Sequence, residues 1–355
     1  MLKRFLYTMA IIILSTAMSI GYDEGVKDYG CMPHTFVFSS SISKIIMGCT
    51  SWPTMLIKIV DPISTNVEST IDNNFMGNFC TAGVIDNGVN ILVLLSETDN
   101  NVNTKEGILY KINYANGNII DQLQFDSWPT DMAVDNTDAY AYVSSGIDFR
   151  EYSEILKIDL DNLNIVDCIE YGKYCDDIEI NHNGSKLYAY DDDTRHVGVI
   201  ATSDMTLINN DLSFGVIGLN LKMGYDNRLF ISESSMAYNN MPSIWVIDTS
   251  TDEIIHTVII DHIGIDFIDI NPENRKLYGL VYTKTHLDEY SGEYWFEATN
   301  QIIELNLDDY SYRYIIMGNE PLCDIAVAYG NGMNRLFCLA CGNESQNVHY
   351  KDIIP

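Results

Sequence analysis

The sequence predicts an all-β fold, a seven-bladed β-propeller of four-stranded antiparallel blades, and three observations lead to this prediction. A phrase made of a polar turn and an apolar strand recurs along the chain, as at Asn181–Tyr190 and again at Asn271–Leu280. The apolar segments are short, rich in β-branched and aromatic residues, and bounded by Asn, Asp, Gly or Ser. No segment after residue 20 has a sustained helical period. Short strands that return at regular spacing are typical of propeller blades.

The spacing of the repeat indicates the number of blades. An aromatic residue ends the second strand of successive units, with intervals of 46, 42, 48 and 59 residues, at Tyr142, Tyr188, Phe230, Tyr278 and Phe337. Most of these intervals match the roughly 40–50 residues of a blade. Seven units begin near Pro33, Cys80, Pro129, Cys175, Val216, Ile265 and Leu322.

The longest interval contains an insertion, residues 283–297, which is rich in aromatic side chains. Tyr290, Tyr294 and Trp295 lie within it. Aromatic side chains on a surface suit contact with a protein or a glycan. These three residues are therefore candidates for a binding surface.

Closure of the ring is predicted from the last unit, which has only three strands of its own. An open sheet edge would be left if the fourth strand were missing. The segment 22–29 is predicted to supply that strand by pairing with residues 347–353. The apolar residues predicted to be buried between blades are Leu187, Ile200, Leu229, Ile244, Val246, Leu277, Ile302 and Leu336.

Three phrases resemble the YVTN-type propeller repeat, a WD-like repeat. They are Trp-Pro-Thr-Asp-Met-Ala-Val (128–134), Asn-His-Asn-Gly-Ser-Lys-Leu-Tyr (181–188) and Ile-Trp-Val-Ile-Asp-Thr-Ser-Thr-Asp-Glu-Ile-Ile (244–255). The Tyr-Val-Thr-Asn tetrad itself is absent. Members of that family are secreted surface-layer proteins, periplasmic proteins of unknown role and relatives of quinoprotein amine dehydrogenase β-subunits. The resemblance implies a propeller over nearly the whole chain and says little about its function.

The N-terminus has the pattern of a signal peptide, which places residues 1–19 before a single propeller domain, 20–355. Lys3 and Arg4 precede an apolar run over 5–14, and Ala17 and Ser19 stand at cleavage positions. The alternative is an uncleaved anchor helix, but the run is short of the roughly 20 apolar residues that a span needs. No second apolar span follows. We expect a secreted, periplasmic or cell-surface protein without a transmembrane segment in its mature chain.

The chain is strongly acidic, which limits its partners. It has 50 Asp and Glu residues against 20 Lys and Arg, a formal charge of −30. Such a charge repels nucleic acid and anionic membranes. The acidic residues are spread over the turns. They form either a solvated surface or a face that attracts cations and cationic partners.

Eight cysteines in an exported chain favour disulfides. The candidates are Cys31, Cys49, Cys80, Cys168, Cys175, Cys323 and Cys341. Cys49 and Cys341 both end the second strand, in units one and seven, which closure makes neighbours. Cys168 and Cys175 bracket the link between two units. The alternatives are buried thiols that pack as small hydrophobic groups, or a cysteine-lined metal site at the channel mouth.

Carboxylates at equivalent repeat positions form the other candidate site. Asp131, Asp177 and Asp324 align at the entrance to the innermost strands, with Asp266 one position away. Carboxylates that converge on the channel from several blades suit Ca²⁺, and propeller lactonases of the gluconolactonase type use such channel-mouth oxygens. The alternative is that each Asp caps its own turn.

Catalytic signatures are missing from the sequence. It contains no G-x-S-x-G, H-E-x-x-H, Gly-rich phosphate loop or C-x-x-C-H motif. The sequence therefore favours a non-catalytic binding module with a protein or glycan partner and no required cofactor. One alternative is a calcium-assisted hydrolase, lactonase or lyase that uses the four aspartates. Another is the non-cofactor subunit of a redox complex.

Overall fold

A computed structural model of the protein describes residues 24–28, 32–51, 54–75, 84–86, 89–98, 105–146, 152–214, 219–233, 243–260, 263–287, 294–330, 333–340 and 347–353. These residues contain 28 strands, β1 to β28, in seven four-stranded antiparallel sheets. The predicted all-β fold and the predicted seven blades are confirmed. Within these ranges the structure has no helix with the length and apolar character that crossing a bilayer requires.

Each of the first six blades follows the chain from its innermost to its outermost strand. Blade 1 consists of β2 (Met32–Ser39), β3 (Lys44–Ser51), β4 (Thr54–Val60) and β5 (Val67–Phe75). Blade 2 consists of β6 (Val84–Asp86), β7 (Asn90–Thr98), β8 (Lys105–Asn113) and β9 (Ile119–Phe125). Blade 3 consists of β10 (Trp128–Val134), β11 (Tyr140–Gly146), β12 (Glu154–Asp159) and β13 (Asn164–Glu170).

The next three blades repeat this order. Blade 4 consists of β14 (Cys175–Ile180), β15 (Lys186–Asp191), β16 (His196–Ala201) and β17 (Thr206–Ser213). Blade 5 consists of β18 (Leu219–Met223), β19 (Arg228–Glu233), β20 (Ser243–Asp248) and β21 (Glu253–Ile259). Blade 6 consists of β22 (Ile263–Asn271), β23 (Lys276–Leu287), β24 (Tyr294–Asn306) and β25 (Tyr312–Ile316).

Blade 7 is built from both parts of the chain. It consists of β26 (Leu322–Gly330), β27 (Met333–Ala340), β28 (Asn347–Asp352) and, as its outermost strand, β1 (Glu24–Asp28). The antiparallel register runs from Glu24 opposite Lys351 to Asp28 opposite Asn347. The predicted closure is confirmed. The strand β26 also contacts β2, which joins the last blade to the first.

The recurring Asp or Asn at the end of the third strand has a local cause. The Asp61 Oδ1 atom accepts hydrogen bonds from the backbone N–H groups of Ile63 and Ser64, at 3.1 and 2.7 Å. Asn113 and Asp159 hold their turns in the same way. Short polar side chains stabilise turns by such bonds to their own backbone. The sequence phrase that ends in Ile-Asp is therefore the start of each outer turn.

Cations join neighbouring blades at these same turns. At five interfaces between blades, a Lys or Arg side chain of one blade donates a hydrogen bond to a backbone carbonyl in the outer turn of the next blade. The accepting carbonyl belongs to the second residue of that turn. The pairs are Lys111 with Leu160, Lys157 with Thr202, Lys186 with Thr249, Arg228 with Leu307 and Arg335 with Pro62. A scarce set of basic residues is thus used to hold successive blades together.

The core lies between the blades. All eight residues predicted to be buried have no measurable exposure: Leu187, Ile200, Leu229, Ile244, Val246, Leu277, Ile302 and Leu336. Each packs in a cluster with residues of its own and a neighbouring blade, as Leu277 of blade 6 does with Phe230 and Val246 of blade 5. These predictions are confirmed.

Candidate functional site

The innermost strands share an irregularity near their start. A register shift, typical of a β-bulge, occurs in five of them, between Pro33 and Thr35, Pro129 and Asp131, Cys175 and Asp177, Asp266 and Ile268, and Leu322 and Asp324. A bulge redirects the side chains beside it. Beyond the bulge, alternate residues share one face of the strand because the side-chain period is two.

Asp131 and Asp177 follow the bulges of β10 and β14 and meet in the channel. The Asp131 Oδ2 atom accepts the N–H of Ile178 at 2.9 Å, and the Asp177 Oδ2 atom accepts the N–H of Leu221 at 2.8 Å. Each carboxylate thus binds the innermost strand of the next blade. The two carboxyl groups also lie close enough for each to affect the pKa of the other.

The closeness of two buried acids affects their ionisation. Burial raises the pKa of Asp177 well above its ordinary value, and the neighbouring Asp131 charge adds to the rise. Burial also raises the pKa of Asp131. Two buried carboxylates close to each other cannot both stay ionised at low cost. The pair therefore carries less charge than its two acids suggest.

A second layer of charges lies two or three residues further along the innermost strands. It contains Glu179 of β14, Lys222 of β18 and Asp269 of β22. The Lys222 Nζ atom lies 3.5 Å from Asp269 Oδ1 and 3.9 Å from Glu179 Oε1. Asp269 Oδ2 accepts the N–H of Val327 at 2.8 Å, and Glu179 accepts the N–H of Met223. The carboxylates of this layer also join neighbouring blades.

The ionisation of this layer follows from burial and from the opposing charges. Burial raises the pKa of Glu179 to about 7, although the Lys222 charge acts against the rise. Burial acts to lower the pKa of Lys222, but the carboxylates of Asp269 and Glu179 outweigh it and raise that pKa overall. Lys222 therefore stays an ammonium, while Glu179 titrates near neutral pH.

A cavity of about 360 Å³ opens beside this layer, where the innermost strands end and their turns begin. We call it the channel-mouth cavity. Six blades line it, through Phe38, Val134, Asn136, Ile180, Asn181, His182, Lys222, Met223, Gly224, Tyr225, Asp269, Ile270, Pro272, Val327 and Tyr329. Concave sites with mostly apolar walls and a few polar groups are typical of ligand-binding sites.

The structure places the four predicted aspartates in different environments. Asp131 and Asp177 lie close to each other, as described above. Asp266 accepts hydrogen bonds from Asn220 Nδ2 and from the N–H of Phe267, at 2.5 and 3.1 Å. Asp324 accepts the N–H of Ile325 at 2.7 Å. In the described ranges no three His, Cys, Asp or Glu side chains are grouped as ligands for a metal ion. Calcium binding stays a prediction.

The aromatic insertion extends two strands of blade 6. Tyr294 and Trp295 lie in β24, opposite Leu287 and His286 of β23. Tyr290 lies outside the described residues. The described part of the insertion therefore lengthens both strands, and its use as a binding surface stays a prediction.

The predicted disulfides of Cys168 and Cys175 are wrong. Cys168 is an exposed thiol on the outermost strand β13, and Cys175 is a buried thiol on the innermost strand β14. The link between them crosses from the outer rim to the channel, whereas a disulfide needs Cα atoms within about 7 Å. Cys323 is not disulfide-bonded either. Cys338 is a buried thiol whose pKa burial raises, in agreement with the small-hydrophobe alternative.

The remaining cysteine predictions depend on residues outside the described ranges. Cys49 is buried beside Phe337, Leu339 and Val348 of blade 7, as expected for a residue at the first and last blades. Its predicted partner Cys341, like Cys31 and Cys80, is not among the described residues. The pairing of Cys49 with Cys341 stays a prediction.

Comparison with solved structures supports the fold. The chain is similar to the β-propeller domain of Myceliophteria thermophila Cps50 (Swd1), with a TM-score of 0.68 and 9% identity over 94% of this chain and all of that one. A chain of the Mitotic Checkpoint Complex matches with a TM-score of 0.67 and 10% identity over 93% and 95%. A chain of Kuenenia stuttgartiensis Hydrazine Synthase matches with 0.53 and 13% over 71% and 74%.

These likenesses establish the class of protein, a β-propeller, and identities this low show the fold alone. No family model matches the chain. No curated protein matches it either. Membership of the YVTN-type family is therefore not shown.

The sequence interpretation missed the second charged layer. Glu179 lies two residues after Asp177, and Lys222 lies two residues after Asn220, the equivalent position in β18, whereas Asp269 lies three residues after Asp266. The signal was available, because residues at i and i+2 of one strand share a face. If the innermost strands had been aligned by the turns that follow them, and not by their acidic residues, Lys222 would have been placed between Glu179 and Asp269.

We expect Glu179 to make the protein more stable as the pH falls from 8 to 5.5. Its pKa is about 7 in the folded chain and 4.5 ordinarily, so the folded state retains a proton that the unfolded chain has lost. Stability is thus present at the acidic end and declines as the pH rises through 7. Glu179→Gln should remove on the order of 2–3 kcal/mol of this pH dependence, measured by urea unfolding at both pH values.

The matched control for the Glu-to-Gln change is Glu170→Gln, at an exposed position of the outermost strand β13. If the unfolding free energies of the wild type and of Glu179→Gln changed equally with pH, the pKa of Glu179 would not be raised in the folded protein.

Proposed function

We propose that this protein is a non-catalytic binding module whose main role is interaction with another protein. The channel-mouth cavity carries the proposal, because it gathers apolar, aromatic and charged side chains from six blades into one concave site. The fold supports it as well. The β-propeller match in the Mitotic Checkpoint Complex is a component of a protein assembly.

The charge of the molecule supports a partner with a basic surface. The formal charge is −30. Long-range attraction accelerates encounter with a surface of opposite sign. The cavity then supplies the short-range contacts, since Phe38 and Tyr329 offer aromatic area that is effective at interfaces.

The proposed setting is the cell envelope or the exterior of the cell. The charged residues Lys3 and Arg4, the apolar run over 5–14 and the small residues after it support export. The resemblance to YVTN-type repeats supports it too. Intact mass measurement of protein from its source tests this setting, because removal of residues 1–19 is the expected result and an unprocessed N-terminus would contradict it.

Site-specific photo-cross-linking tests the binding function. A photoreactive residue at Asn183, in the exposed turn beside the cavity-lining His182, should cross-link a partner in the source organism. The matched control is the same residue at Asp193, which lies in the turn at the other end of blade 4 and is 49% exposed.

The expected result is a defined protein adduct at position 183 that is lost when Phe38 and Tyr329 are both replaced by alanine. An adduct of equal yield at position 193, or one that survives the double replacement, would show that partners do not use the channel-mouth cavity.

A further inference from the structure

The polar groups of the channel-mouth cavity differ in their capacity to form further hydrogen bonds with a ligand. Two of its acceptor side chains, Asp269 and Asn181, already accept hydrogen bonds from backbone N–H groups. Asp269 Oδ1 accepts the N–H of Ile270 at 2.9 Å, and its Oδ2 atom accepts that of Val327 at 2.8 Å. Asn181 Oδ1 accepts the N–H groups of Ser185 and Lys186, both at 2.9 Å. A ligand that brings only donors finds few unoccupied acceptors there.

Lys222 offers donors to the same space. Its ammonium has three N–H groups. The distances of 3.5 and 3.9 Å to Asp269 and Glu179 are longer than the roughly 2.7–2.9 Å of a charge-assisted hydrogen bond. Its side chain is 37% exposed, although it lies in the channel. Lys222 is therefore held loosely and has spare donor capacity.

We propose that the channel-mouth cavity binds an organic carboxylate with an apolar or aromatic body, anchored by Lys222. The ligand carboxylate supplies Lys222 with an acceptor at hydrogen-bond distance, whereas its protein partners lie at 3.5 and 3.9 Å. The body packs against the apolar and aromatic side chains of Phe38, Ile180, Met223, Val327 and Tyr329. The inference rests on the proposed binding function and names the chemistry of the ligand.

The acids around Lys222 make this binding depend on pH. The charged and titratable groups near Glu179 are Lys222 on β18, Asp131 on β10, Asp269 on β22 and Asp177 on its own strand. As the pH falls from 8 to 6, Glu179 takes up a proton and ceases to compete for the ammonium. The ligand carboxylate then takes its place, so affinity rises toward pH 6, where a simple carboxylic acid is still ionised.

The direct test is calorimetric titration of the full chain with three probes that share one ring system: 1-naphthylacetate, 1-naphthylacetamide and 1-naphthylmethylamine. The acid should bind roughly tenfold or more tightly than the amide, as expected for a charge-assisted hydrogen bond. It should bind more tightly at pH 6 than at pH 8, and Glu179→Gln should remove that difference.

Variants of Lys222 assign the anchor. Lys222→Met should weaken binding of the acid about tenfold and leave binding of the amide unchanged. Because this change leaves two carboxylates without their cation, the double variant Glu179→Gln/Lys222→Met removes one charge of each sign and should bind the acid as weakly. The control Lys173→Met removes a lysine that is 51% exposed and pairs with Asp193 at the far end of blade 4, and should have no effect.

A second pair of probes distinguishes a free acid from the end of a protein chain. The peptide Gly-Gly-Phe with a free C-terminal carboxylate is compared with its C-terminal amide. Binding of the peptide acid together with naphthylacetate assigns the site to carboxylates in general. Binding of the peptide acid alone assigns it to protein C-termini, and binding of naphthylacetate alone to small acids.

The proposal is overturned if the acid and the amide bind equally, if the amine binds more tightly than the acid, or if folded Lys222 variants keep full affinity. The photo-cross-linking experiment at Asn183 separates this failure from failure of the binding function. A partner adduct without carboxylate binding would retain the interaction module and reject Lys222 as its anchor.

Discussion

Replacing Arg335 with methionine is expected to lower the free energy of unfolding by about 3–5 kcal/mol. The Arg335 side chain is 7% exposed and pairs with Asp352 at 2.6 Å. It also donates to the carbonyl groups of Pro62 and Ile63, at 3.1 and 2.9 Å. One buried cation thus joins blade 7 to blade 1. Its removal leaves several acceptors without a donor where the ring closes. Urea unfolding measures the loss.

Arg275 is the matched control for this prediction. It pairs with Asp308, but the two side chains are 44% and 55% exposed. Exposed ion pairs contribute roughly 0–1 kcal/mol, so Arg275→Met should have a small effect. Equal losses for Arg335→Met and Arg275→Met would show that Arg335 does not hold the closure.

Replacing Leu277 with alanine is expected to cost about 2–5 kcal/mol, because the change removes apolar contacts and leaves a cavity. Leu277 is completely buried. It packs with Phe230, Ile244 and Val246 of blade 5, so the cavity would lie between two blades. Chemical denaturation of wild type and variant, at one pH, gives the difference.

Ile255 provides the comparison for Leu277. It is 51% exposed on the outermost strand of blade 5, and Ile255→Ala should change stability by about 0.5 kcal/mol or less. A Leu277→Ala variant as stable as Ile255→Ala would mean that the innermost and second strands are misplaced.

The fold could be predicted from the sequence because the information for each blade is local. Strands of period two and turns that begin with Asp or Asn are visible within about 45 residues. The pairing of β1 with β28 could be predicted because the seventh unit has only three strands of its own and needs a fourth to complete its blade. The common turn geometry was less visible, because the residue with positive φ differs from turn to turn, as with Thr65, Leu163 and Met205.

The candidate site could be predicted only in part. Aligned aspartates indicated a charged channel, and Asp131 and Asp177 do meet there. Lys222 was missed because β18 carries Asn220 at the position of the aligned aspartates, so an alignment by acidic residues alone did not include that strand. The disulfide prediction for Cys168 and Cys175 was wrong because closeness in the sequence does not imply closeness in the fold. Residues 168 and 175 are close in the chain, but the chain crosses a whole blade between them.

The pairing of β1 with β28 has a mechanical consequence. Glu24 lies opposite Lys351, so the start of the first strand and the end of the last lie side by side. A stretching force applied between Glu24 and Asp352 would load the perpendicular hydrogen bonds of this antiparallel pair one after another, as in unzipping, and not all together in shear. In an optical trap the protein should yield first at blade 7, at low force, while the other six blades remain folded.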